Sequence, residues 1–321
     1  MKAAVYYTNG PPDVLQYEDV ADPVCGPGFV LVQVEAISIE GGDTLNRLGG
    51  ALTATPHIVG YQCAGTVIEV GDGVDDRAVG DRVVATMTNG SHAELAAVPS
   101  LVTWKIPEGG DLVACACVPV AFGTAHDCLF EFGHLREGET VLIQAGAGGV
   151  GMAAIQLAHR AGATVIATAS SLERLEPLKA LGLDHAVDYS KDGWVDAVRG
   201  LTEGGRGVDL VVDSVGGPTL QKSVACLAYR GRAITVGSAG REFVPFEAGV
   251  LGMNNQSLTG VFLGAEIITP RAQEMIQSLV DEVAQGDLTV LVDRTFPLKD
   301  AAGAHAFIEN RLAIGRVVLV P

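Results

Sequence analysis

The hydrophobic pattern changes period twice along the chain. Residues 29–39 set Val30, Val32, Val34 and Ala36 on one side and Gln33 and Glu35 on the other, the period-two signature of a half-buried strand. Residues 65–70 and 82–85 read as further strands, punctuated by Gly71-Asp72-Gly73 and Gly80-Asp81. Many short strands between glycine turns predict a compact, barrel-like β domain. From about residue 122 the pattern becomes strand–helix alternation. Apolar cores at 141–144, 164–168, 186–189, 210–213, 233–236 and 258–262 predict six strands of a doubly wound parallel sheet, an α/β fold. A helix over residues 172–181 is expected after the second of them, with Ser170 or Ser171 as its cap. After residue 264 comes an amphipathic helix. Thr269 caps it, Pro270 suits its first turn, and Gly286 ends it. Ala272, Met275, Ile276, Leu279, Val280 and Val283 form its apolar stripe. Strand-like residues 289–296 and 317–320 close the chain and are expected to rejoin the first module. The expected organisation is a discontinuous domain, 1–121 with 264–321, and an inserted domain, 122–263.

The first strand of the inserted domain runs into Gly146-x-Gly148-x-x-Gly151, and a helix-patterned stretch over 150–161 follows. A strand, a tight turn and a helix aim free helix N–H groups at an anion such as a pyrophosphate. Gly146 is expected to permit the turn. Gly148 lets a phosphate approach the backbone, and Gly151 lets helix and strand pack closely. A second strand at the right distance supports a dinucleotide site. At its end, where an NAD-binding chain carries an acid for the ribose 2′-hydroxyl, stands Ala169, followed by Ser170, Ser171 and Arg174. Hydroxyls and a guanidinium suit a 2′-phosphate, so NADPH is the expected cofactor. Carboxyl ends of the strands place Ser214 to Gly217 and Val236 to Gly240 on the same rim.

Composition narrows the field. A net charge of −17 argues against nucleic acid or an anionic membrane as partner. The six cysteines form no Cys-x-x-Cys pair and read as reduced, mostly buried thiols, with Cys115 and Cys117 as core packing. The longest apolar run, 112–122, is broken by Pro119 and too short to span a bilayer. With no apolar signal core at the N-terminus, the expected location is cytoplasmic.

Several segments carry a family resemblance across essentially the whole length. They include Gly60-Tyr61-Gln62-x-x-Gly65, Gly80-Asp81-Arg82-Val83, Thr124-Ala125, Gly138-Glu139-Thr140-Val141-Leu142 and Ala147-Gly148-Gly149-Val150-Gly151. Gly207-Val208-Asp209-x-Val211-x-Asp213-x-Val215-Gly216 and the ending Gly315-Arg316-Val317-Val318-Leu319 complete the set. The chain resembles the zinc-independent quinone oxidoreductases of the medium-chain dehydrogenase/reductase superfamily, the group that includes zeta-crystallin. The resemblance implies a GroES-like catalytic domain, a Rossmann domain binding NADP, and a homodimer paired through the last Rossmann strand, residues 258–263.

Zinc members of that superfamily draw ligands from an early Cys, a Gly-His-Glu segment and a later Cys or Asp. Here those places read Ile37-Ser38-Ile39-Glu40-Gly41-Gly42-Asp43 and Gly60-Tyr61-Gln62, and the four-cysteine lobe is missing. Zinc needs three convergent protein ligands, so no metal is expected. Glu40, Asp43 and His57 have no spacing that favours one. Without a Lewis acid, hydride delivery to an electron-poor acceptor becomes the natural chemistry. The expected reaction is NADPH-dependent reduction of a quinone. The alternatives are reduction of α,β-unsaturated ketones or aldehydes, and a non-catalytic NADPH-binding role.

By resemblance, Asp43 and Tyr61 are the candidate catalytic residues and Glu40 and Arg47 are candidates for the substrate cleft, to which His92 is added. Asp43 matches the family's Asp and Glu40 stands in place of its Asn. Asp43 is read equally as a loop anchor. Tyr61 stands at the zinc enzymes' histidine position and is a candidate hydrogen-bond donor to the substrate or a packing residue. His92 and His126 are weaker proton-donor candidates. Candidate cofactor contacts are Thr124, Gly146, Gly148, Gly149, Val150, Gly151, Ser170, Ser171, Arg174, Tyr189, Val236, Ser238, Leu263 and Arg311. The proton donor is left open, since solvent protons suffice for quinone reduction.

Overall fold

The computed structural model describes all 321 residues. The chain divides into two compact units, Met1–Gly123 with Gly264–Pro321, and Thr124–Leu263.

The first unit is built on a seven-stranded sheet. Its path runs Val292–Pro297, Arg316–Val320, Phe29–Ser38, Gln62–Val70, Arg82–Thr86 and Thr103–Lys105, and Leu95–Pro99 pairs with Phe29–Ser38 off that path. The alternation along Phe29–Ser38 is realised: Val30, Val32, Val34 and Ala36 are buried while Gln33 and Glu35 are exposed. The core gathers residues remote in sequence, such as Val32, Ile37, Val67, Val83, Val98, Leu298 and Leu319. A three-stranded sheet, Gln16–Asp19, Lys2–Tyr6 and His57–Ile58, accompanies it. These short strands, with Leu95–Pro99 and Thr103–Lys105, gave no periodic signal of their own. At two to five residues they owe their pairing to tertiary context.

The C-terminal tail joins this unit as a strand pair. Val292–Pro297 runs parallel to Arg316–Val320, which pairs antiparallel with Phe29–Ser38 through Val318 to Ser38 and Leu319 to Ile37. The helix before it spans Pro270–Gln285. Thr269 caps it by accepting from the Ala272 amide, and Gly286 ends it in the left-handed conformation, φ 85°. Ala272, Ile276, Leu279, Val280 and Val283 are buried, and Met275 is half-buried.

The second unit carries a six-stranded, all-parallel sheet. Its order is His185–Asp188, Thr164–Ala169, Thr140–Ile143, Val208–Asp213, Leu227–Thr235, Ser257–Gly260. Numbered along the chain, that is 3-2-1-4-5-6, the doubly wound order with its switch point between the first and fourth strands. All six expected strands are present, although four stop one or two residues earlier than the apolar runs suggested. The helix expected over residues 172–181 is a correction. Two 3-10 turns, Leu172–Arg174 and Glu176–Leu181, take its place, and neither Ser170 nor Ser171 makes a side-chain cap. Pro177 lacks the N–H that a continuous helix would use there, and a short 3-10 turn tolerates this.

Candidate functional site

The glycine-rich turn lies between the strand Thr140–Ile143 and the helix Gly149–Arg160. Gly148 is extended at the N-cap, so the amides of Gly149, Val150 and Gly151 open the helix without intrahelical acceptors. The glycines divide their work differently from the expectation. The left-handed residue of the turn is Ala145, φ 53°, not Gly146. Gly146 is required by packing: a Cβ there would stand 2.8 Å from Ala167 Cβ and 3.1 Å from Leu175 Cδ2. A Cβ on Gly151 would strike the Ala145 carbonyl and stand 2.7 Å from Gly146 Cα. At Gly148 the nearest atom to a Cβ is the Ala145 oxygen at 3.3 Å, so the space above it is open to a ligand. Helix N–H groups, an open approach at Gly148 and close packing at Gly151 fit a dinucleotide pyrophosphate.

Neighbouring loops are fixed by buried polar groups that local pattern did not single out. Asp213, fully buried, accepts from the amides of Val215 (2.9 Å) and Gly216 (2.7 Å) and from Ser223 Oγ (2.7 Å). The loop after the next strand is tied to it, with Ala239 N donating to Ser214 O and Gly240 N to Val215 O. Gln144, also buried, accepts from Thr168 Oγ1 at 2.5 Å, which joins the first two strands beneath the turn. A polar residue at the carboxyl end of a strand is the sequence signal that would have marked both.

The remaining cofactor candidates of this unit fall at the same strand ends. Ala169 ends its strand with 3% exposure, half-buried Ser170 and Ser171 follow it, and Arg174 is half-buried in the first 3-10 turn. Tyr189 follows the third strand and packs against the core around Leu142 and Val187. Val236 and Ser238 are half-buried just past the fifth strand, and Thr124 and Leu263 are buried. His126 meets Phe130 edge-on, with ring centroids 4.9 Å apart. Arg311 belongs to the first unit, where it is exposed just past the helix Ala301–Glu309 with φ 57°.

In the first unit, strand register creates the second constellation. Val318 pairs with Ser38, so continuing the antiparallel ladder by two residues sets Arg316 opposite Glu40. Both side chains are buried. Arg316 Nη2 donates to Glu40 Oε1, to Ser38 Oγ (2.5 Å) and to the Ile39 carbonyl (2.9 Å). Gln62 Nε2 donates to Glu40 Oε1 (2.5 Å), while Gln62 Oε1 accepts from the Val120 amide (3.0 Å). Burial raises the Glu40 carboxyl, and the Arg316 charge opposes that rise. Glu40 and Gln62 thus come from the two segments that supply metal ligands in the zinc enzymes, and here they close on a guanidinium. No three His, Cys, Asp or Glu side chains come together in an arrangement that could hold a metal ion. His57 instead lies edge-on to Tyr6, ring centroids 5.1 Å apart.

Glu40 precedes the helix Gly41–Gly49, and Asp43 Oδ2 accepts from the Glu40 amide at 2.8 Å. Asp43 therefore anchors the helix start. Tyr61 is half-buried against this helix, its hydroxyl 3.4 Å from the Gly42 carbonyl. Arg47 and His92 are interior residues in this unit. Arg47 is fully buried and pairs with Glu309. His92 is fully buried with Nε2 3.0 Å from His305 Nε2. Both were expected near the substrate, and in this unit both side chains are buried in polar pairs. Arg316, His305 and Glu309 were not singled out, because only the folded register brings them to the Glu40–Arg47 segment.

All six cysteines are free thiols, five of them buried. No helix is long and apolar enough to cross a membrane.

Residues 26–169 match the family described as alcohol dehydrogenase GroES-like domain, and residues 149–284 match that described as zinc-binding dehydrogenase. A 2-haloacrylate reductase from a Burkholderia species is 35% identical, over 99% of this chain and 98% of its own. A quinone oxidoreductase from Pseudomonas aeruginosa is 34% identical, over 100% and 99%. Among solved structures, a mycobacterial protein in complex with NADPH superposes with a TM-score of 0.94 at 35% identity, over the full length of both chains. With relatives of this similarity along its whole length, and with the two units just described, the chain belongs to the medium-chain dehydrogenase/reductase superfamily as a quinone oxidoreductase-like enzyme.

Proposed function

We propose that this enzyme transfers a hydride from NADPH to a quinone. The observation that carries the reading is the closure of Glu40 and Gln62 on Arg316. That donor set is a carboxylate, an amide and a guanidinium, and it answers to no zinc site. In this reading the unit Thr124–Leu263 holds the cofactor and the discontinuous unit holds the acceptor. When bound, NADPH supplies the hydride. The helix-opening amides of Gly149, Val150 and Gly151 would hold its pyrophosphate. Ser170, Ser171 and Arg174 would hold its 2′-phosphate at a strand end where Ala169 offers no carboxylate to repel it. On the acceptor side Tyr61 offers a hydroxyl to the oxygen on which negative charge develops. Thr124, Tyr189, Val236, Ser238, Leu263 and Arg311 stay as proposed contacts. The edge strand Ser257–Gly260 is proposed to pair with a second copy of the chain.

A second reading has its own support. One relative is named as a 2-haloacrylate reductase, and a 2-haloacrylate carries an electron-poor carbon–carbon double bond. A steady-state panel of 1,4-quinones, enones and 2-haloacrylates, each with NADPH and NADH, separates the two. The quinone reading expects kcat/KM with quinones and NADPH to exceed that for any alkene by about tenfold or more, a difference of about 1.4 kcal/mol in transition-state stabilisation. The reverse order moves the assignment to alkene reduction. Turnover with none of them leaves neither standing.

A further inference from the structure

The polar groups around Asp43 are more numerous than an anchored helix start requires. Asp43 is fully buried, and while Oδ2 holds the Glu40 amide, Oδ1 makes no hydrogen bond. Asn46, one turn along the same helix face, has a buried Oδ1 without a partner, and so does the hydroxyl of Tyr6. Unpartnered buried polar atoms are uncommon, and several in one neighbourhood mark a polar interior that takes water. Tyr61 connects this interior to the half-buried side. Its ring lies directly on Gly42, where a Cβ would strike the ring carbon Cε2 and stand 3.2 Å from the hydroxyl. Asn46 and Asp43 both act electrostatically on that hydroxyl.

We propose that Tyr61 gives the proton that completes reduction of the acceptor, and that Asp43 stores the proton that restores Tyr61. The proposal rests on the hydride-transfer reading above. After the acceptor has taken the hydride, the Tyr61 O–H bond breaks and an O–H bond forms on the acceptor's oxyanion. The phenolate takes the proton of the Asp43 carboxyl, and Asp43 recovers one from water beside Tyr6 and Asn46. The sum is one hydride and one proton consumed per two-electron reduction. Electrostatics at each position support the order. Burial raises Asp43 well above the ordinary carboxylate range, and the Glu40 charge adds to that rise while the Glu40 amide, Arg316 and the Tyr61 amide oppose it. Burial raises Tyr61 and keeps its hydroxyl protonated as a donor while Asp43 is neutral. The other groups facing this cluster are Tyr6 and Arg47, and beyond Arg47 the neutral pair His92 and His305.

Infrared difference spectra of native protein against Asp43→Asn at pH 7 read the store without any turnover. A protonated-carboxyl band present in native protein and missing from the variant is expected; its absence from native protein overturns the proposal. Asp43→Asn keeps the acceptor for the Glu40 amide, and Tyr61→Phe removes only a hydroxyl. In turnover with whichever acceptor the native enzyme reduces, both variants should lose about 100-fold in kcat, the scale of general-acid catalysis. NADPH affinity should stay within about twofold, and the solvent deuterium isotope effect should change. Unchanged kcat and isotope effect in Tyr61→Phe overturn the proposal and leave the hydride-transfer reading intact.

Discussion

Arg316 and Glu40 meet across 276 residues of chain, and the Arg316 guanidinium donates to Glu40 Oε1 and to both neighbouring groups, Ser38 Oγ and the Ile39 carbonyl. The pair ties the last strand to the start of the helix that carries Asp43. Breaking one side of a buried pair leaves the other charge uncompensated, at a cost of about 3–5 kcal/mol. Arg316→Met should therefore lower the urea midpoint strongly, while Glu40→Gln combined with Arg316→Met should recover most of the loss. A double variant no better than the single one would show that the interaction lies outside this pair.

The His92–His305 contact predicts acid sensitivity. With Nε2 facing Nε2 at 3.0 Å, one ring donates and the other accepts; the accepting ring is neutral, and burial disfavours charge on either. Burial depresses His92 from 6.5 to about 3 and His305 well below 6.5. A histidine with a depressed folded pKa binds its proton more readily in the unfolded chain. Its contribution is present above pH 6.5 and is lost as pH falls from there towards 3. His305→Phe should flatten the fall in urea midpoint across that window relative to native protein. Parallel pH curves for the two would refute the assignment.

The turn glycines should separate stability from binding. Gly151→Ala drives a Cβ into the Ala145 carbonyl and the Gly146 backbone, and overpacking of this kind costs about 1–3 kcal/mol. Gly148→Ala meets only one atom at 3.3 Å. Thermal melts should therefore drop for Gly151→Ala and hold for Gly148→Ala. NADPH titrations should weaken for Gly148→Ala. A Gly148→Ala protein that binds NADPH as tightly as the native protein would remove the phosphate from that position.

Arg174→Ala tests the proposed 2′-phosphate contact. A hydrogen bond to a charged group contributes about 1.5–3 kcal/mol, so the Michaelis constant for NADPH should rise about tenfold or more and that for NADH should change little. An equal rise for both cofactors would assign Arg174 another role.

Much of the nucleotide unit was legible because its determinants are local. The central strands of the parallel sheet, Thr140–Ile143, Thr164–Ala169 and Val208–Asp213, are buried on both faces and appear as short apolar runs, and the glycines report contacts within a few residues of themselves. The exchange of roles between Ala145 and Gly146 was not legible. Which residue of a tight turn is left-handed depends on how Ala167 and Leu175 crowd it, and they arrive from the next strand and turn. The short strands Lys2–Tyr6 and His57–Ile58 were missed for the same reason, since each is defined by its partner.

The sequence by itself determined the two hydrophobic periods, the capped helix from Thr269 to Gly286, the phosphate-type turn and the lack of a zinc ligand set, because each is written in residues near one another. Tertiary structure alone decided what replaced the metal ligands and what became of the candidate site residues. The register of Val318 on Ser38 sets Arg316 against Glu40, and the fold buries Arg47 with Glu309 and His92 with His305. A one-residue slip would turn Arg316 to the other face of the sheet. The charge balance of the site is thus a property of strand pairing over hundreds of residues, which no local pattern encodes.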